Sequence, residues 1–110
     1  MLRFEDSDIF LTRGDTAYIG LNLTDANGEE FKGTMEDTVI LSVKKEINEE
    51  KIYAFQVSVP FGVDIKILPE HTKKLDYGRY YYDIQINMAN GDIFTVVEKA
   101  VFNITQEVTL

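Results

Sequence analysis

The sequence predicts an all-β domain, an antiparallel β-sandwich of seven to eight strands with one short helical turn near 70–76. Three observations predict it. Apolar and polar residues alternate with a period of two along most of the chain, as in strands with one face on a core and one in water. Turn-forming residues interrupt the alternation every ~8–12 residues, the spacing of a sandwich. The alternating runs are dense in β-branched and aromatic residues, which suit a pleated, half-buried surface.

The elements follow in order. A short run, "DIFLT", precedes Arg13-Gly14-Asp15. Segment 16–24 groups Ile19, Leu21 and Leu23 on one face and Tyr18, Gly20, Asn22 and Thr24 on the other. Asn27-Gly28 then supplies residues that tolerate the positive φ of a tight hairpin. Segment 38–45 turns Val39, Leu41 and Val43 inward and leaves Ile40 outside; "EINEEK" at 46–51 is a polar tip. Segment 52–59 groups Tyr53, Phe55, Val57 and Val59, and Pro60 with Gly62 separates it from Val63, Ile65 and Ile67 in 63–68. Segment 69–77, "PEHTKKLDY", is the one helical candidate: Pro69 suits a first helical position, Glu70 suits the N-terminal dipole, and Gly78 offers a stop. Its other reading is a connection that crosses between sheets. Segment 79–88 sets Tyr80, Tyr82, Ile84, Ile86 and Met88 against Tyr81, Asp83, Gln85 and Asn87. Asn90-Gly91 makes a second tight turn, and 92–105 follows with its phase disturbed near Glu98-Lys99, where the strand either bends or, the preferred reading, carries a bulge.

A chain of 110 residues makes one domain, 1–110, that buries roughly two thirds of its unfolded surface. Hydrophobic residues at 45% and charged residues at 27% suit a folded globular chain. Without cysteine there are no disulfides, thiolate metal sites or cysteine nucleophiles. A net charge of -8 opposes binding to phosphate backbones, so no nucleic-acid partner is expected. The N-terminus carries acids where a signal peptide needs an apolar run, and no apolar stretch approaches the ~18 residues of a membrane span. A chain made in a cytoplasm, with no membrane partner, is the expectation. The sequons Asn22-Leu23-Thr24 and Asn103-Ile104-Thr105 then read as polar strand faces.

Little in the chain points to chemistry. His71 is the lone histidine, and Ser7, Ser42 and Ser58 lie in no nucleophile elbow. The acids group at Glu5, Asp6 and Asp8, at Asp25, Glu29 and Glu30, and at Glu36 and Asp37, but "DANG" lacks the ligand spacing of a calcium loop. No enzyme activity, metal or cofactor is expected. The run Tyr80-Tyr81-Tyr82 is more informative. "LDYGRYYY" matches the corner at which an immunoglobulin-like sandwich enters its sixth strand, where a tyrosine returns its hydroxyl to upstream backbone. Tyr80 takes that role, Gly78 precedes it by two residues, and Tyr82 stands where an antibody domain has its second cysteine.

With these residues assembled, the chain resembles small immunoglobulin-like proteins associated with phage and prophage tails or baseplates, including the N-terminal domains of baseplate upper proteins. The resemblance rests on Gly14-Asp15, on the block from Thr72 through Leu75, Gly78, Tyr80 and Tyr82 to Asp83-Ile84, on Gly91 with Thr95, and on the closing Val108-Thr109. It implies a non-enzymatic structural or assembly protein, a virion component assembled in the bacterial host cytoplasm. Its partners would be other tail or baseplate proteins, and copies of itself. The outward Tyr18, Ile40 and Tyr81 are the candidate interaction surface. The alternative is a carbohydrate-binding or adhesion module, in which Tyr81, Asp83, Gln85 and Asn87 meet a sugar; the lack of tryptophan weighs against it.

Arg13-Gly14-Asp15 is also the tripeptide that integrin ligands display. Here it joins two strand-like runs, so Gly14 reads as a break in the backbone and Asp15 as a turn residue. On this reading Arg13 is incidental.

Overall fold

The computed structural model describes residues 2–5, 7–24, 27–45 and 53–106. Asp6, Asp25, the tip at 46–51 and Val108-Thr109 lie outside the described residues. The strands are β1 (Leu2–Glu5), β2 (Asp8–Thr12), β3 (Ala17–Ile19), β4 (Thr38–Lys44), β5 (Phe55–Pro60), β6 (Ile65–Ile67), β7 (Gly78–Asn87) and β8 (Ile93–Thr105), with one helical turn, α1 (Pro69–Thr72), between β6 and β7. A six-stranded sheet runs β1-β2-β8-β7-β4-β5, and a two-stranded sheet pairs β3 with β6. Both sheets feed one core. Ile19, Ile65 and Ile67 of the small sheet join Ile9, Leu41, Ile84, Ile86 and Phe102 of the large one in a single buried cluster.

The sequence of β7 explains its central place. Tyr80, Tyr82, Ile84 and Ile86 are buried and the residues between them are half-buried. The same parity holds in its neighbour β4, where Val39, Leu41 and Val43 are buried opposite Ile86, Ile84 and Tyr82. Both buried tyrosines keep their hydroxyls satisfied at the margin of the core. Tyr80 donates to the Asp76 carbonyl at 3.0 Å, and Tyr82 donates to the Ser7 carbonyl. Burial, followed by the nearby Asp8 charge, pushes the Tyr82 phenol up to about 12. Phe102 fills the centre of the core, edge-on to both Tyr82 and Phe55.

The phase disturbance in β8 is a double irregularity. Tyr82 pairs with Ala100, Ile84 with Val97 and Gln85 with Thr95, so two extra residues enter β8 between Thr95 and Ala100. Phe94 beyond them and Phe102 before them pair with Ile86 and Tyr80, on the same side of β7.

Tyr53 and Val63, expected on inward faces, lie outside β5 and β6 and are exposed. Three further details depart from the sequence expectation. First, the large sheet is mixed. β2 runs parallel to β8, with Ile9 beside Phe102 and Leu11 beside Ile104. The chain leaves β2 for the small sheet at the end where β8 finishes, so β2 must run in β8's direction; the Arg13 N–H to Thr105 carbonyl bond at 3.1 Å closes that pair. Second, the strand expected over 16–24 holds only over Ala17–Ile19. Its sole ladder partner, β6, has three residues and is followed by Leu68 and Pro69, whose ring nitrogen cannot donate. Leu21 and Leu23 continue the alternation only as half-buried loop residues. Third, the helix stops at Thr72, and Gly78 opens β7 instead of ending the helix.

One carboxylate fastens the end of the molecule opposite α1. Asp37 is 5% exposed, and its two oxygens accept the Thr34 N–H at 2.8 Å and the Ala89 N–H at 2.9 Å. Its backbone carbonyl accepts the Phe61 N–H at 2.9 Å. The connection into β4, the β5–β6 turn and the β7–β8 hairpin therefore meet at one residue. The Thr34 amide first, then the Ala89 amide, hold the Asp37 carboxyl below its ordinary range, against the opposing effect of burial.

Asp83, on the outward face of β7, behaves oppositely: burial raises it, and the Lys44 charge only partly offsets this. The signs of the two contributions follow. Stability from Asp37 is complete above about pH 4, the ordinary carboxylate value, and is lost as pH falls through its lowered folded value. Asp83 costs nothing below about pH 4, and its cost grows as pH rises through its raised folded value. Asp37→Asn is expected to lower Tm at neutral pH and to flatten the acid limb of the stability profile. Asp83→Asn should leave neutral-pH Tm unchanged or raise it. Thermal melts of both variants between about pH 3 and 7 check this; equal losses at pH 7 would refute the assignment.

Candidate interaction surfaces

The structure does not bring the three outward residues together. Tyr18 projects from β3 of the small sheet and is 59% exposed. Its cross-strand partner is Lys66, whose ammonium lies 5.5 Å from the ring centroid. Ile40 and Tyr81 belong to the outer face of the large sheet, and both are half-buried rather than exposed. Ile40 lies between Ser58 and Gln85, and Tyr81 between Lys44 and Val101. Ile40 and Lys44 are separated by roughly 13 Å along β4 at the usual rise per residue. That face is ordered by polar contacts between strands: Gln56 Nε2 donates to Ser42 Oγ at 2.8 Å. It is a mixed face, on which Phe10, Ile40, Tyr81 and Val101 stand among polar residues.

The more exposed apolar groups lie at the ends of the sheets. At the Asp37 end, Met35 and Val63 stand on connections, and Ile93 and Phe94 open β8; they are 40–70% exposed (70%, 45%, 64% and 42%). Phe31 sits between Phe94 and Phe61, with ring centroids 5.7 Å and 5.8 Å away. This cluster borders a cavity of about 210 Å³ lined by Leu21, Leu23, Phe31, Val39, Phe61 and Val63, with Glu30 and Asp64 also on its wall. The approach is tight here: a Cβ on Gly33 would stand 2.8 Å from the Phe61 ring, which is why the loop carries glycine.

At the α1 end, tyrosines and cations pair. Lys45 lies over Tyr80 at 4.5 Å, Lys44 over Tyr53 at 4.9 Å, and the Arg13 guanidinium over Tyr77 at 4.1 Å. A second cavity of about 290 Å³ opens there, lined by Lys45, Tyr53, Ala54, Lys74, Leu75, Asp76 and Tyr80. The His71 ring is used internally: Nδ1 accepts the Leu68 N–H at 2.8 Å and the ring stacks on Phe55 at 5.2 Å. Among the described residues no group of three or more acidic or histidine side chains could hold a metal ion.

The Arg-Gly-Asp segment is built into this end. Gly14 has φ 83°, and its N–H donates to the buried Thr72 hydroxyl at 2.8 Å. The Asp15 N–H donates to the Thr12 carbonyl at 3.1 Å, closing the turn. Arg13 is not incidental. Besides covering Tyr77, its Nη1 donates to the Leu75 carbonyl at 3.4 Å. The tripeptide thus joins β2 and β3 while holding the α1–β7 connection, and its arginine is turned onto its own chain.

No protein-family model, no curated protein and no solved structure matches the chain.

Asp37, Thr72 and Arg13 are the positions that alternation could not single out. Thr34-x-x-Asp37 is a spacing that permits a side-chain-to-backbone turn, so Asp37 left a weak local signal. Thr72 and Arg13 left none, because their partners lie 58 and 62 residues away. Three substitutions separate these roles in urea denaturation. Gly14→Ala should cost about 1 kcal/mol through backbone strain alone, since the space beside its Cα is open. Thr72→Val should cost about 1–2 kcal/mol by leaving the Gly14 N–H without its acceptor. Arg13→Ala should cost about 0.5–1 kcal/mol.

Proposed function

We propose that this chain is a non-enzymatic structural or assembly protein of a bacteriophage or prophage particle, associated with its tail or baseplate and acting through protein–protein contacts. The observation that carries the reading is the placement of its exposed apolar groups. Phe94, Ile93, Val63 and Met35 at one end, and Tyr53 and Tyr77 at the other, stand beside charged residues, an apolar centre with a charged margin. Protein interfaces share that anatomy. Tail and baseplate resemblance in Gly14-Asp15 and in the Thr72 to Ile84 block supplies the particle as the setting. The immunoglobulin-like reading is supported by the Tyr80 hydroxyl returning to Asp76, by Gly78 at φ 126°, and by a chain that passes repeatedly between two sheets sharing one core. Strand edges unpaired among the described residues, at β1, at β5 and on the outer sides of β3 and β6, add backbone groups to which neighbouring strands can pair.

The test is composition of purified particles from the host strain, by mass spectrometry and immunogold labelling. The protein is expected in particles together with the other tail proteins, and the double substitution Met35→Ala with Ile93→Ala, at two exposed groups of the Asp37 end, is expected to reduce its incorporation without lowering Tm. Particles that contain the remaining tail proteins and lack this chain would overturn the proposal. A strong, specific hit on a glycan array would favour the adhesion reading instead.

A further inference from the structure

The small sheet comes apart where the cavity beside Phe31 begins. β3 and β6 pair from Ala17 with Ile67 to Ile19 with Ile65, and no further. The next residues along each chain segment, 20–23 and 62–64, line the cavity of about 210 Å³ instead of continuing the ladder. Two glycines admit the groups that shape it. A Cβ on Gly20, itself on the cavity wall, would stand 3.2 Å from Asp64 Oδ1, so glycine lets that carboxylate lie close. Gly33 does the same for the Phe61 ring.

The lining is of two kinds. Leu21, Phe31, Phe61 and Val63 are apolar, and two of them are aromatic; Glu30 and Asp64 are carboxylates from separate connections. Both carboxylates are exposed, and neither meets a cation of the chain among the described residues. Lys66 of β6 lies over Tyr18, and Lys32 borders a different hollow with Thr34, Glu36 and Asn90. Asp25 and Ala26, which lie outside the described residues, carry one further acid and no base, so the sign of the charge here does not turn on them. From this lining we infer that the cavity binds an alkylammonium group, a cationic head on a short apolar stem, as a lysine side chain or a free amine carries it. Apolar walls cover the stem, and aromatic rings attract the cation. Two carboxylates from separate connections suit the radiating donors of an ammonium better than a planar guanidinium, whose fork matches one carboxylate. The volume is below the ~300 Å³ at which drug-sized ligands begin to fit, and suits one group the size of a side chain.

The experiment is an amide NMR titration of the isotopically labelled full chain with two cations and their neutral counterparts. The cations are N-acetyl-lysine amide and n-butylammonium chloride; the counterparts are the lysine compound acetylated on Nζ, and n-butanol. Both cations should shift the amides of Gly20, Gly62 and Asp64 and bind at least about tenfold more tightly than their counterparts. Tighter binding of the lysine compound assigns the site to a side chain of a protein partner, and tighter binding of n-butylammonium assigns it to a free amine. Glu30→Gln with Asp64→Asn keeps both side-chain shapes and should lose at least about tenfold in affinity for the cations. Glu36→Gln with Asp92→Asn removes the same charge from the same end, outside the cavity, and should stay within about twofold of wild type. All four are surface groups, and Tm verifies that each variant is folded. Four results would overturn the inference: no binding of either cation, equal binding of cations and neutral compounds, unchanged binding by the first variant, or equal losses in both. Binding in solution does not depend on whether the chain enters particles, so it is tested apart from the assembly reading.

Discussion

The inward row of β7 is the constraint on which the rest of the structure depends. Tyr80, Tyr82, Ile84 and Ile86 must face the core together, because a slip of one residue would send all four into water. β4 and β8 both take their register from that row, and through them β5 and β2 are placed. The two tyrosines add direction to what apolar residues alone would leave slippery. Each hydroxyl reaches one particular carbonyl, Asp76 or Ser7, so burial and hydrogen bonding agree on a single register.

Beyond the strands, the fold is closed by a few polar residues that gather segments remote in sequence. Asp37 ties three connections at one end, and Thr72 with Arg13 ties the β2–β3 junction to the α1–β7 connection at the other. These groups sit where ladders stop and backbone amides would otherwise lack partners. Asp37 can remain charged although buried, because two amide dipoles replace the water it has lost. Asp83, in a row of side chains on an open sheet face, has no such replacement.

How much of this was legible in the sequence follows from the range of each interaction. The β4 and β7 rows and the turns at Gly28, Gly62 and Gly91 were legible because alternation and positive-φ glycines are local. So was the disturbance near Glu98-Lys99, since it breaks a local period. The parallel β2–β8 pair was not, because strand direction is settled by where the chain must go next. The shortness of β3 depends on the length of β6, far along the chain. For the candidate surface, side-chain parity placed Ile40 and Tyr81 outward correctly, yet exposure also depends on neighbours such as Lys44, Ser58 and Val101 that no period reveals.

The two extra residues of β8 have a consequence for how this chain can change in length. One extra residue would invert the pleat, so that everything on the far side of the irregularity presented its opposite face. Two restore it, and Phe94 therefore shares the phase of Phe102. Loss of a single residue between Thr95 and Ala100 would exchange the inner and outer faces of the strand's first part, whereas loss of a pair would leave both halves in phase. Viable insertions and deletions in this segment should therefore come in even numbers.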